Sequence, residues 1–233
     1  MASVGVPGFL PSTSGFRFAN RFPHVPVRRI GVPGVLDIPI GDASDGLCGG
    51  MAFAARDYFE AGRPPPADPD PPAEGTPLFD YLVERLFDSF GLPLGPGRYL
   101  GLMSPALPDG DPFLARLGLA PHGRAWRTIR EEWPRVRAEI DRGRPAPLGL
   151  VRVKSWSPVD LKQNHQVLAY GYRLDGDRLL IRIYDPNHPG DDGVSLSLDV
   201  GDPSRPMRVS STPQGPPVLA FFLVAFSAAE PPA

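Results

Sequence analysis

Among the 233 residues, the side chain best suited to nucleophilic chemistry occurs once, as Cys48 in the run DGLCGGMAFAARDYFEAG. The residues before it read as an irregular stretch. The residues after it, 49–61, read as a helix with Met51, Ala54, Ala55, Tyr58 and Phe59 on one stripe and Gly62 as its stop. A cysteine entering a helix sits beside unpaired backbone N–H groups at the positive end of the helix dipole. Both favour the thiolate, and the same N–H groups could donate to a developing oxyanion. Gly46, Gly49 and Gly50 would leave the thiol open to a substrate, with Leu47 beside it. A lone cysteine is more often a small buried hydrophobe, so its meaning depends on its partners.

Four histidines are candidates for a base. His24 and His122 each adjoin a proline and read as surface residues, and His188 lies in the turn-like PNHPG. His165 opens the run HQVLAYGY at a polar-to-apolar boundary, where a site residue on a sheet rim belongs. Residues 165–185 read as a hairpin whose turn, RLDGD, puts Gly176 at a left-handed position of a three-residue loop. Arg173 would then pair with Asp177. His165 would face Asp185, with Val167 and Ala169 opposite Ile183 and Ile181. A carboxylate there holds the tautomer and orientation of the imidazole. A slip of two residues would bring Asn187 opposite His165 and make it the alternative orienter. Asp185 also precedes Pro186, a common turn pairing. A zinc site of Cys48, His165 and Asp185 is a weaker reading than a nucleophile triad. DPNHPGDDG fails as a calcium loop because Pro189 and Leu196 occupy ligand positions. Neither a metal nor a cofactor is expected.

The elements that must hold these residues follow from periodicity. Residues 1–45 read as extended chain and turns, with β-like pieces at 15–18 and 35–40. The segment 63–77 is a stiff proline-rich connector whose other reading is a wall over a cleft. Thr76 and Pro77 start a second helix, with Leu78, Phe79, Leu82, Leu86 and Phe90 as its apolar face. Residues 92–110 read as loop and 111–117 as a short helix. A third helix spans 126–142, distorted or delayed by Pro134, with Ile129, Trp133, Val136 and Ile140 buried. From residue 146 the period becomes 2, with strands at 147–154, 165–173, 178–184, 193–199 and 217–226. Helices followed by strands predict an α+β fold with an antiparallel sheet. We expect a single domain over 1–233 with two lobes, roughly 1–145 helical and 146–226 β-sheet, and a tail at 227–233.

Composition narrows the function. Glycine (26) and proline (32) make up about a quarter of the chain, yet 42% of residues are hydrophobic, which disordered chains lack. With 24 basic and 26 acidic residues there is no electrostatic footprint for nucleic acid. One cysteine excludes an intrachain disulfide framework and a multi-cysteine zinc site. The first 23 residues lack a basic start followed by an apolar run, so no secretory signal is expected. The longest apolar run, 218–226, falls far short of the ~20 residues of a membrane-spanning helix. A cytoplasmic protein without a membrane span is expected.

The order of a cysteine entering a helix, a histidine opening a strand and an Asp or Asn on the next strand resembles the papain-like cysteine peptidase superfamily. Its nearest flavour is the bacterial peptidase domains that cleave leader peptides. The matching pieces are EIDRGRPAPLGLV, NHQVLAYGY and IYDPN, within an outline covering roughly 42–186. The resemblance implies a papain-like fold with the nucleophile helix packed on the sheet. It also implies a peptide or amide substrate, Cys48 as nucleophile, His165 as base and then acid, and Asp185 as orienter. Such enzymes place a Gln a few residues before the Cys. Here the position six before is Asp42, and an ionised Asp cannot donate to an oxyanion. The Cys48 N–H, with Asn20 or Ser44, is the substitute expected to form the oxyanion hole. Leu47, Gly49, Gly50 and Trp156 are expected at the cleft. The same triad order also fits an acyltransferase or transglutaminase-like enzyme. The missing Gln fits a weak or inactive domain that binds peptides or proteins.

Overall fold

A computed structural model describes residues 1–22, 30–32, 36–38, 46–91 and 95–232, with backbone alone at 30–32 and 36–38. The chain opens with strand β1 (Ala2–Gly5) and a one-turn helix, α1 (Pro11–Ser14). A small hairpin joins β2 (Ile30–Val32) to β3 (Leu36–Ile38). The β-like reading of 15–18 is corrected: that segment is irregular and inserts Phe16 and Phe18 into the core.

Helix α2 (Cys48–Glu60) is buried from Gly49 through Tyr58, well beyond one stripe. Helix α3 (Pro77–Ser89) starts as its sequence dictates. Thr76 Oγ1 accepts from the Phe79 N–H at 3.3 Å, and Pro77 fills the first helical position, where its missing donor costs nothing. The two helices run antiparallel in close contact: Gly49 meets Ser89 at one end, and Asp57 meets Tyr81 and Arg85 towards the other. A Cβ on Gly50 would lie 2.0 Å from the Leu82 carbonyl oxygen, so this approach requires glycine. The buried Asp57 carboxylate accepts from Arg85 Nε (2.7 Å), the Tyr81 hydroxyl (2.9 Å) and the Ala229 N–H (2.9 Å). The C-terminal segment is thereby strapped across both helices. The proline-rich 63–77 connector leaves the C-terminal end of α2, opposite the end that carries Cys48.

Helix α4 (Gly95–Met103) lies where the sequence reads as loop. Its GPGRYLGLM composition has poor helix propensity, but packing overrides it. Tyr99, Leu102 and Met103 are buried with Phe53, Val151 and Phe222 in a second apolar cluster, with the Tyr99 and Phe222 rings edge to face at 4.6 Å. After α5 (Phe113–Arg116), α6 (Arg124–Trp126) runs into a π-helical stretch, Arg127–Glu132, and then α7 (Trp133–Asp141). Pro134 offers no N–H to the preceding turn, and the widened π turn directly before it accommodates the ring. Ile129, Trp133, Val136 and Ile140 are buried.

The strands are β4 (Ala146–Val151), β5 (His165–Asp175), β6 (Arg178–Tyr184), β7 (Ser195–Asp199), β8 (Ser210–Thr212) and β9 (Ala220–Leu223). They form an antiparallel sheet in the order β8-β7-β6-β5-β4-β9. The fold is therefore α+β. Strand β1 also joins this sheet, pairing with β5 at Gly171–Leu174 beyond the stretch that β4 covers. The first residues of the chain thus join a sheet whose other strands lie between residues 146 and 223. Among the described residues no helix is long and apolar enough to cross a membrane.

The β5–β6 register differs from the three-residue-loop expectation. Asp175 pairs with Arg178, leaving Gly176 (φ 57°) and Asp177 as a two-residue turn, and Arg173 faces Leu180 rather than Asp177. An irregularity at Tyr170 then inserts one residue into β5, so Ala169 faces Ile183 and Leu168 faces Tyr184. A one-residue slip exchanges the faces of a strand, and the bulge restores them. Beyond it, the odd residues of β5 again share a face with the odd residues of β6.

Candidate functional site

Cys48 is the first residue of α2, and His165 is the first residue of β5, opposite Leu150 on β4. The two elements are pressed together where they begin. A Cβ on Gly49 would fall 2.2 Å from Ser89 Oγ and 2.9 Å from Gln166 Oε1. This contact sets the partly exposed Cys48 against His165, and the Gln166 backbone N–H donates to the Cys48 sulfur. His165 and Asp185 are both buried, and His165 Nε2 lies 2.7 Å from Asp185 Oδ1. With Nε2 engaged by the carboxylate, Nδ1 is the ring nitrogen left for the hydrogen bond with the thiol.

The carboxylate is itself held. The Asn187 N–H donates to Asp185 Oδ1 at 2.9 Å, and His188 Nδ1 stands 3.6 Å from Oδ2. The Asn187 side-chain amide nitrogen is 3.3 Å from His165 Nε2, so both candidate orienters meet the ring. Asn20 closes the circuit. Its Oδ1 accepts from the Leu47 N–H at 2.6 Å, and its Nδ2 donates to Asn187 Oδ1 at 3.4 Å. Gly46 makes room for it: a Cβ there would stand 2.5 Å from Asn20 Nδ2, and the residue's φ of 95° suits glycine. Leu47 provides no side-chain cap for α2, which leaves first-turn N–H groups without a side-chain acceptor beside the thiol.

The electrostatics follow from these contacts. Burial pushes the Cys48 thiol up, but the His165 charge, its hydrogen bond and the Gln166 N–H outweigh this and hold the thiol below its ordinary range. Burial pushes His165 down, yet the Asp185 and Cys48 charges raise it to about 9. Asp185 is also pushed up by burial, but the His165 charge and hydrogen bond and the Asn187 N–H bring it to about 2. Around neutral pH the arrangement favours a thiolate–imidazolium pair beside an ionised carboxylate, which is a nucleophile with a proton donor already next to it.

Of the remaining residues singled out in the sequence, Leu47 is buried in the main core, and Gly49 and Gly50 are packed against Ser89, Gln166 and Leu82 rather than lining an open cleft. Trp156 is 68% exposed in the segment between β4 and β5. Ser44, Asp42 and His24 lie outside the described residues. His122 is bound to Asp111 at 2.7 Å and stacked on Trp126, away from these groups. Three neighbours went unread in the sequence. Gln166 is a polar residue buried in an apolar strand, which was a signal. Tyr99 comes from the unexpected helix α4, and burial and the Cys48 charge push its hydroxyl up. Arg152 directly follows the apolar run of β4. Among the described residues no group of three or more His, Cys, Asp or Glu side chains is arranged to hold a metal ion. Comparison of the chain with known families, with characterised proteins and with solved structures finds no match.

Proposed function

We propose that this protein is a thiol hydrolase of papain-like fold, a peptidase or amidase acting through Cys48, His165 and Asp185 and an acyl-enzyme. The observation that carries the reading is the 2.7 Å hydrogen bond between His165 and Asp185, with the helix-entering Cys48 placed where the His165 charge lowers its thiol. In this mechanism the Cys48 thiolate attacks the carbonyl carbon of the scissile amide and forms a C–S bond. The oxyanion accepts from the Cys48 N–H and from Asn20 Nδ2, which stands in for the Gln expected of the superfamily. The imidazolium gives its Nδ1 proton to the departing amine as the C–N bond breaks. His165 then takes a proton from water, which attacks the thioester, and the acid product leaves as the C–S bond breaks and the ion pair reforms. Asp185 stays ionised throughout and keeps Nε2 protonated.

The test is labelling with an activity-based thiol probe, with Cys48→Ala as control, followed by peptide-library profiling. Labelling at Cys48 together with Cys48-dependent cleavage is the expected result. Labelling without any cleavage would favour acyl transfer to another acceptor, and neither would leave a binding domain.

A further inference from the structure

The face of the sheet that carries His165 also carries a pocket of about 140 Å³. A single water needs only about 15 Å³, so this space is large enough for a substrate side chain. Leu150, Ile183, Leu196 and Val218 form its apolar floor, and Arg152 and Asp185 stand at its polar side. Leu150 is the cross-strand partner of His165, and Arg152 follows it by two residues, so the pocket directly adjoins the triad.

Arg152 is the unexplained group there. Its backbone N–H is taken by Asn164 Oδ1 at 3.0 Å, but its Nε is buried with no hydrogen-bond partner. A buried guanidinium nitrogen without an acceptor is costly, and a carboxylate matches its planar fork better than any neutral group. Asp185 shares the pocket but does not fill this role. It makes no hydrogen bond to Arg152: its Oδ1 is taken by His165 and the Asn187 N–H, and His188 Nδ1 stands 3.6 Å from its Oδ2. Ser211 adds a second donor: its Oγ accepts from the Gly215 N–H at 2.9 Å, which leaves the hydroxyl proton for a ligand.

We infer that this pocket is a substrate subsite for a carboxylate, with Arg152 as the residue that recognises it. The assignment rests on the hydrolase reading for what happens next to the pocket, and it names the substrate class as peptides with an acidic side chain or a free C-terminus close to the scissile bond.

The test is calorimetric titration of full-length Cys48→Ala with acetylated peptides. One arm compares Glu with Gln at each position, and the other compares a C-terminal carboxylate with a carboxamide. Ten-fold or greater tightening by the charged member of one arm is expected and identifies the source of the carboxylate. The preference should vanish in the Arg152→Gln background and partly return with Arg152→Lys. Equal affinities for charged and neutral members overturn the assignment, as does the absence of binding by any peptide at millimolar concentration. An Arg152→Gln change that weakens all peptides alike also overturns it, because that is the mark of a charge that only balances Asp185. Wild-type turnover separates the two claims. A carboxylate preference without thiol-dependent cleavage sinks the hydrolase reading alone, and cleavage indifferent to carboxylates sinks the subsite alone.

Discussion

His165 and Asp185 are hydrogen-bonded at 2.7 Å although they are not cross-strand partners. The register at Leu168–Tyr184, carried one step further, would set Asp185 beside Val167, and carried three steps further, Asn187 beside His165. The carboxylate therefore reaches the ring along the diagonal of one sheet face, and that face is shared only because the Tyr170 bulge cancels the odd shift introduced by the two-residue turn. Asp185→Ala is expected to lower turnover by up to about 10⁴, the loss seen when the charge of a triad Asp is removed. Asp185→Asn, which keeps an acceptor but not the charge, should also lower turnover and move the alkaline limb of the pH–rate profile below about 9. A profile unchanged in both variants would remove Asp185 from the mechanism.

Asn20 has two roles that substitution can separate. Asn20→Asp keeps an acceptor for the Leu47 N–H but cannot donate to an oxyanion, whereas Asn20→Ala loses both functions. Both are expected to reduce kcat by about 10²–10³, with thermal stability falling mainly in the alanine variant. Wild-type kcat in Asn20→Asp would assign the oxyanion to backbone groups alone.

The ion pair also makes a signed prediction about stability. Below about pH 6.5 the unfolded chain holds two protons on free Cys and His side chains, and wherever the lowered Cys48 thiol is still ionised the folded pair holds one, so there stability falls as the solution is acidified. Between about 6.5 and 8.5 the counts match and stability is level. Above about 8.5 the unfolded thiol has ionised while His165 keeps its proton up to about 9, so stability falls again. In Cys48→Ala the Cys48 charge and hydrogen bond no longer raise His165, so what elevation the Asp185 charge sustains acts alone, and its stabilisation is full below about 6.5 and drains away from there upwards, at up to about 1.4 kcal/mol per pH unit. Urea unfolding across pH 5–10 distinguishes a level middle region in the wild type from an early decline in the variant.

Gly50→Ala tests how the nucleophile helix is seated. The added methyl would start 2.0 Å from the Leu82 carbonyl oxygen, a backbone atom that no rotamer change can move. Forcing α2 and α3 apart is expected to cost about 1–3 kcal/mol and to reduce Cys48 reactivity, because the helix start moves with it. Thermal melts and alkylation rates measure the two effects.

Much of this arrangement was legible in the residues themselves. The Thr76–Pro77 start, the helix after Cys48 and the change of period at residue 146 are local signals, and local physics sets them. The register of β5–β6 was less accessible. A turn of two or three residues around Gly176 reads alike, and Gly171, the one local hint of a bulge beside Tyr170, fits a close backbone approach equally well. Helix α4 was invisible because its stability comes from burying Tyr99 and Met103, which a glycine-rich sequence does not advertise. Asn20 was a candidate from the residues alone; Arg152 was not, because only the pairing of β4 with β5 sets it beside His165.

The central claim is that Cys48 is a thiolate held by His165, and its rate of alkylation by iodoacetamide at pH 6 tests this most directly. The expected result is a rate well above that of a free thiol in solution, dropping towards the free-thiol rate in His165→Ala, with a further change near pH 9 in the wild type as the imidazolium titrates. A wild-type rate at or below that of the free thiol, unaffected by His165→Ala, would contradict it.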